Sequence, residues 1–599
     1  MLKHQRETDY PLPLIVIALG AVLETILFGT IIVGFLLTIV TLAIVLSKGR
    51  FFFRMIPRAF LILCFYYLLM FLIGVKFQFF QNEFTGKLIV YTPLIALLYF
   101  ASSMWALPNP PTHRSSAFLT GPAILLTVLS FAYFKSGRVA NWAMSGDARN
   151  NIYQTRAIID RGGLMPFNSY PGLANGISAV VGGWQFNTNA VTGGHLGAEI
   201  NIYALTSIFF LIACSFFASI LITERFLPSQ RQSVFGIVLL SLFPLSQIWL
   251  HTYLYEGFFS SSFALAIALA VFADATHKYS ALHWKLISSG IGFSLIWFTF
   301  PLIAPLILPV AVLAVTQYFL WKKRTINKRL DSAEKAIFFA IIVATAFATN
   351  LVLKNRSLAE YAERNLNNYG RIAHFDNRGL LILTILAGII FLCSSASLRF
   401  ISALTFTVGI TAILGDNALN RILTEDYYLS KYRWISTAIL LILDITIVTI
   451  FLTESRSLIV KSVGNLALIG VASLCIFPIL QKFPTQPTIV KIVNKWQLPT
   501  ASEAHLIIKT NKIEPRSIFW RISPDYLATQ VIDIWITLGF DAGLGAFTWG
   551  YSADVFSLEA VCELASKNTP ATIWVVSEEV KMGVKSVCNL DGVTVRAIQ

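Results

Sequence analysis

The sequence predicts an all-α polytopic transmembrane helical bundle of about 13–15 spans, followed by a small C-terminal extracytoplasmic α/β domain. Three observations carry this. Of the 599 residues, 56% are hydrophobic and only 13% are charged, about half the roughly 25% charge of a soluble domain. Apolar runs of span length recur from residue 11 to residue 481, and they are continuous rather than alternating, which excludes a β-barrel. From residue 482 onward polar and apolar residues mix in ordinary proportion. With a mean hydropathy of +0.68, disorder, a coiled coil and an ordinary cytosolic enzyme are excluded as well.

One pass needs about 17 to 25 apolar residues. The spans then fall near 55–75, 88–106, 117–134, 201–223, 234–251, 257–275, 336–353, 380–396, 399–414, 434–453 and 462–481. Two longer runs, 11–47 and 286–321, are each read as a tight pair of passes. In the second, Pro301, Pro305 and Pro309 supply the break, because proline removes a helical donor and clashes with the preceding turn. In the first, Glu24 and Gly29 mark the middle. The first run is about twice the length of a signal-peptide core and lacks a small-residue cleavage site, so it reads as membrane-spanning.

Basic residues set the sidedness. The loop from Lys322 to Lys335 carries six Lys/Arg against two acids and belongs in the cytoplasm. Lys48 to Arg58 adds four more basic residues, and alternation places them on the same side. Three segments are then external, 135–200, 354–379 and 415–433, as is the terminal domain 482–599. The net charge of +15 is dispersed over short connections rather than gathered in one patch. It reads as an orientation signal and an attraction to anionic membrane lipids, with no nucleic-acid partner.

The terminal domain contains SIFWRI and ATIWVVS as strands and SLEAVCELASK as an amphipathic helix. Of six cysteines, Cys64, Cys214, Cys393 and Cys475 fall in predicted spans, where a thiol is a small hydrophobe. Cys562 and Cys588 lie in the terminal domain, and an extracytoplasmic location favours a disulfide between them over two free thiols. The chain has no internal repeat of the kind that marks inverted-repeat transporters.

The stretch richest in chemical side chains runs from Ser145 to Gly183, SGDARNNIYQTRAIIDRGGLMPFNSYPGLANGISAVVGG. Between Asn150 and Asp160, Ile152, Thr155/Arg156 and Ile159 recur at helical spacing, so a short amphipathic helix along the membrane interface is expected. Asp147 stands just before it. One reading makes Asp147 a helix cap. The other makes it a base at the membrane surface.

This stretch resembles the first extracytoplasmic loop of the GT-C superfamily of membrane glycosyltransferases, in particular the branch with the protein O-mannosyltransferases and the lipid A aminoarabinose transferase. In that branch an acid opens the loop, an amphipathic helix follows with an Arg nine residues on, and a Gly ends it before a Pro-containing stretch. Here Asp147, Arg156 and Gly162 occupy that spacing, followed by Pro166, Asn168, Tyr170 and Pro171. The likeness covers residues 140 to 225 and includes Glu199 ahead of a long span. Two positions depart from it. Ala148 stands where the branch often has a second acid, and Asn151 where it has an aromatic. The resemblance implies that Asp147 takes the proton of an acceptor hydroxyl, and that the donor is a sugar on a polyprenyl phosphate. The acceptor would be an envelope glycan, lipid or protein at the outer face of a bacterial plasma membrane.

Arg156 and the further candidates are substrate-binding. Glu256 lies on a short external turn, where a second acid of the superfamily assists catalysis or holds a metal; the bland reading is a solvated acid at a helix end. His195 sits in a Gly-rich segment. Arg371 and His374, in one external segment, and Lys431 and Arg433, flanked by Tyr427, Tyr428, Tyr432 and Trp434 in another, are cations outside, against the topology rule. Such groups suit a phosphate, although aromatics beside cations also anchor spans. No HExxH, Walker A or CxxC motif occurs. No residue is therefore assigned to a metal, and the resemblance leaves a divalent metal open because GT-C enzymes differ on it. The alternative functions are a transporter or flippase, which requires ionisable residues within the spans, and an O-antigen polymerase or ligase. For the first the spans offer Glu24 and Asp444 as the main acids; for the second the long external loop comes early rather than late.

Overall fold

The computed structural model describes residues 31–47, 52–81, 83–104, 148–164, 172–182, 196–223, 259–277, 281–324, 377–393, 398–423, 426–454, 510–511, 517–520, 558–567, 569–588 and 591–598. The chain is mostly helical, with a small three-stranded sheet near its C-terminus. Helix α1 spans Ile32–Ser47, and α2, Ile56–Phe77, follows a 3₁₀ turn at Phe52–Met55. Pro57 stands in the first turn of α2, where its missing N–H costs nothing. Next come α3 (Glu83–Met104), two short helices α4 (Ala148–Asp160) and α5 (Leu173–Val181), and the long α6 (Leu196–Thr223). Helix α7 (Phe259–Thr276) is buried along its whole length.

The run read as two passes is broken where the prolines stand. Helix α8 (Leu282–Trp297) gives way to a 3₁₀ turn over Pro301–Ile307, and α9 (Leu308–Arg324) returns. The next described helices are α10 (Arg378–Cys393), α11 (Arg399–Ile422) and α12 (Asp426–Glu454). Among the described residues, five stretches are long and apolar enough to cross a membrane: Ile56–Phe77, Ile202–Leu221, Phe259–Thr276, Arg399–Ile422 and Tyr428–Phe451. The spans expected near 117–134, 234–251, 336–353 and 462–481, and the first pass of 11–47, lie outside the described residues. Of the stretch 415–433, expected as external, the residues through Ile422 and from Asp426 are helical. Its polar residues carry the helices beyond the apolar cores that hydropathy detects.

Lateral packing places α7 against α6, α8 and α2, and α12 against α10, α11, α7 and α6. Aromatic contacts show that α6 and α7 run parallel: the Tyr203 and Phe259 rings lie 4.9 Å apart, and those of Phe210 and Phe263 lie 4.4 Å apart further along.

One end of the bundle is tied by polar contacts. Arg58, at the start of α2, donates from Nε to Asp274 Oδ1 at the end of α7 at 3.0 Å, and its Nη2 lies 2.7 Å from the same oxygen. Ser288 of α8 donates to the other oxygen of Asp274. The guanidinium lies 4.6 Å from the Trp284 ring, and Lys285 donates to Gln317 of α9 at 3.2 Å while lying 4.5 Å from the Phe400 ring of α11. The starts of α2, α8 and α11 and the ends of α7 and α9 thus share one end. By the charge pattern this is the expected cytoplasmic end, because Lys322–Lys335 begins in the last turn of α9.

In the terminal region β1 (Ser517–Phe519), β2 (Ala571–Val575) and β3 (Val593–Ala597) form a parallel sheet in that order. Helices α13 (Leu558–Lys567) and α14 (Glu578–Val587) precede and follow β2, so β2, α14 and β3 make a βαβ unit. Ser577 caps α14 by accepting from the Val580 N–H. Ile518, Ile573, Val575 and Val595 pack with Val561 and Val584 in a separate small core. Phe519 and Trp574, on the opposite face, belong to the hydrophobic cluster of the membrane helices. Cys562 and Cys588 are joined by a disulfide, with Cα atoms 5.1 Å apart. On the exposed face of α13, the Lys567 ammonium bonded to Glu563 holds that carboxyl below the usual carboxylate range.

Candidate functional site

The expected interfacial helix is α4, and its surroundings form the candidate site. Its sequence is amphipathic, with Ile152, Ile158 and Ile159 buried. It ends in a Schellman motif. The Gly163 N–H bonds the Ile158 carbonyl at 2.9 Å and the Gly162 N–H bonds the Ile159 carbonyl at 3.0 Å, with Gly162 at φ 73° in the left-handed region. The glycine that the GT-C spacing singles out is thus the one the helix stop requires.

The turn then presses directly on α2. A Cβ at Gly162 would stand 2.5 Å from Gln78 Cα, one at Gly163 would collide with the Phe71 carbonyl oxygen, and one at Gly74 would collide with the Gly162 oxygen. The Leu164 N–H donates to the Phe71 carbonyl at 3.0 Å. Three glycines let two backbones meet with no side chain between them.

Arg156 anchors the other side of α4. Its Nε donates to Glu199 Oε1 at 2.7 Å and its Nη2 donates to Oε2, a two-point contact that suits the planar guanidinium. Glu199 is fully buried in the first turn of α6, where the helix dipole favours a negative charge. The sequence flagged Arg156 as a substrate contact and Glu199 only as part of a resemblance. The structure joins them, so the arginine's charge is matched within the protein.

Helix α5 lies inside this assembly, buried from Leu173 to Val181 and packed against α2, α4, α6 and α7. Its ends are secured by neighbours: the Leu173 N–H bonds the Phe298 carbonyl at 3.0 Å, and the Val181 carbonyl accepts from Ile31 at 2.9 Å. A two-and-a-half-turn helix is marginal alone, and burial with closed ends is what sustains it. Ser178 and Thr206 hydroxyls lie 3.4 Å apart between α5 and α6. Asn175 is fully buried, and neither amide atom has a hydrogen-bond partner among the described residues.

A second ion pair stands where α11 meets α12. Arg433 Nε lies 2.5 Å from Asp416 Oδ1, and Nη2 lies 3.4 Å from Oδ2. Lys431 is only 4% exposed, with its ammonium 5.4 Å from the Tyr428 ring, and the Tyr432 hydroxyl donates to the Ala412 carbonyl at 3.0 Å. Lys431 and Arg433 are therefore inward-facing residues of this helix pair. Of the other candidates, Asp147, His195, Glu256, Arg371 and His374 lie outside the described residues. No group of three or more His, Cys, Asp or Glu that could hold a metal occurs among the described residues.

Sequence reasoning passed over Arg58, Asp274, Lys285, Asp416 and Glu199 as members of buried contacts. Each sits alone in an apolar or helix-end context, and only the partner from a distant helix gives it meaning. No family model, curated protein or solved structure matches this chain.

Proposed function

We propose that the chain is a polyprenyl-phosphate-sugar-dependent membrane glycosyltransferase, acting on an envelope glycan, lipid or protein at the extracytoplasmic face of the bacterial plasma membrane. The observation that supports this best is the way α4 is held. Two members of the Asp147, Arg156 and Gly162 spacing have separable jobs: Arg156 clamps α4 to α6 through Glu199, and Gly162 stops α4 against α2. The helix that directly follows Asp147 in sequence is therefore fixed at both its middle and its end, as a base held in one place requires.

In the proposed reaction the acceptor hydroxyl oxygen attacks the anomeric carbon and its proton passes to Asp147. The bond from that carbon to the phosphate oxygen breaks, and its electron pair leaves on the polyprenyl phosphate. Cations of the external segments, Arg371 and His374 first among them, stabilise the departing phosphate. Arg156 is a positioning residue in this scheme, because Glu199 occupies its guanidinium.

The test is Asp147→Asn in membranes carrying normal amounts of inserted protein, assayed for sugar transfer from radiolabelled polyprenyl-phosphate sugars. Transfer is expected to fall about 10²-fold or more with loss of the base. Undiminished transfer removes Asp147 from the mechanism. A transporter is the second reading, favoured by one observation: Arg58, Asp274, Lys285 and Asp444 are buried in or at the ends of the membrane helices, whereas ionisable groups there commonly mark a path. Flux of labelled lipid-linked sugar into proteoliposomes without any acceptor separates the two.

A further inference from the structure

Asp444 lies within the Tyr428–Phe451 span of α12 at 2% exposure, and neither of its carboxyl oxygens has a hydrogen-bond partner among the described residues. It stands 16 residues from Tyr428 and 7 from Phe451, about 24 Å and about 10 Å from the two ends at about 1.5 Å per residue. A carboxylate at such a depth is strongly disfavoured unless its charge is answered.

Among the described residues, the helices around it do not answer it. On α6, Glu199 is paired with Arg156; on α7, Asp274 is paired with Arg58; on α11, Asp416 is paired with Arg433. Arg378 opens α10 and Arg421 ends α11, both exposed, while Arg399 opens α11 at the end occupied by Lys285; none of them hydrogen-bonds Asp444. Cys214 donates to the Ser262 carbonyl and Cys393 is exposed at the end of α10. On α12 itself, Lys431 stands over Tyr428 and Tyr432 bonds Ala412, three or more turns away. The turn at Pro301–Ile307, also packed on α12, has no charged residue. Ser215, on the α6 helix that packs against α12, has a buried hydroxyl that likewise lacks a hydrogen-bond partner among the described residues.

We propose that Asp444 is an intramembrane cation-binding carboxyl, whose charge is answered by a proton or an alkali cation taken from solution. A site of this kind gives the bundle a cation-dependent state that the ion pairs elsewhere, already neutral as pairs, do not provide. It does not depend on the sugar-transfer reading and stands or falls separately from Asp147.

The test uses the full-length protein in nanodiscs of fixed lipid composition, with Tm as the readout. Sodium chloride is compared with choline chloride at equal ionic strength, and pH 5.5 with pH 8 in choline. A wild-type Tm that rises with Na⁺ identifies an alkali cation; one that rises only as pH falls identifies a proton, because the bound state is then favoured. Asp444→Asn, nearly isosteric, is expected to lose the shift, and Asp444→Glu to keep it with a displaced midpoint. A wild-type Tm indifferent to both cations overturns the proposal. So does an Asp444→Asn protein with the wild-type shift, or, should that variant fail to fold, an Asp444→Glu protein whose midpoint equals that of the wild type.

Discussion

Arg156 and Glu199 illustrate how a membrane-end residue acquires its role. Breaking a buried ion pair from one side leaves an unanswered charge and costs about 3–5 kcal/mol. Arg156→Ala is accordingly expected to lower stability by about that amount, measured as thermal unfolding in detergent. The Arg156→Ala/Glu199→Gln double variant should lose clearly less than the sum of the two single losses. Arg156→Lys should not restore the parent value, because a point charge does not reproduce the two-point contact. Parent-like stability of Arg156→Ala would show that the pair does not hold α4. At this scale the sequence made Asp147, Arg156 and Gly162 visible through spacing. It could not show Glu199 as the partner, because 43 residues separate the two and only folding closes that distance.

Elements depend on where backbones touch. At Gly162 any other residue meets both an unfavourable left-handed backbone, costing about 1–2 kcal/mol, and a contact 2.5 Å from Gln78 Cα. Gly162→Ala is expected to destabilise by at least that and to detach the α4 turn from α2, read as faster proteolysis near residue 162. Gly583, inside α14, is the internal control, because a methyl group added there would meet nothing within 4 Å among the described residues. Gly583→Ala should stabilise by about 0.5–1 kcal/mol. Equal effects at the two sites would mean that the close approach to α2 is unimportant. The break between α8 and α9 was legible because proline excludes a helical donor whatever surrounds it. The helical ends of α11 and α12 were not. Their uninterrupted apolar runs stop before Asp416 and resume after Arg433, although the two residues neutralise each other across the α11–α12 junction.

For the whole molecule, the expectation that concerns sidedness is chemically accessible. The loop closed by Cys562 and Cys588 spans a sequence separation of 26, and a cross-link of that size typically contributes about 2–4 kcal/mol. In intact cells trapped with an alkylating reagent, both thiols should stay unlabelled until a reductant is added, and an impermeant maleimide should then reach them. A cysteine placed in the Lys322–Lys335 loop should react only after the membrane is opened. Labelling of Cys562 and Cys588 without reduction would place the terminal domain in the cytoplasm. Cys562→Ser should lower the stability of the terminal unit by a few kcal/mol at most, leaving the membrane helices in place, because Val561, Ile573 and Val584 form a core of their own.

The sequence by itself determined that this chain carries several helices long and apolar enough to cross a membrane, which connections between them are basic, where prolines interrupt a helix, and which short helix follows Asp147. These are local properties: apolar length, fixed charge, the missing proline N–H, and spacing along one helix. Tertiary structure alone decided that Arg156 belongs to Glu199, Arg58 to Asp274 and Arg433 to Asp416, and that Asp444 has no such counterpart among the described residues. In a low-dielectric interior a charge is defined by what stands within a few ångströms of it, and in each pair that neighbour comes from another helix.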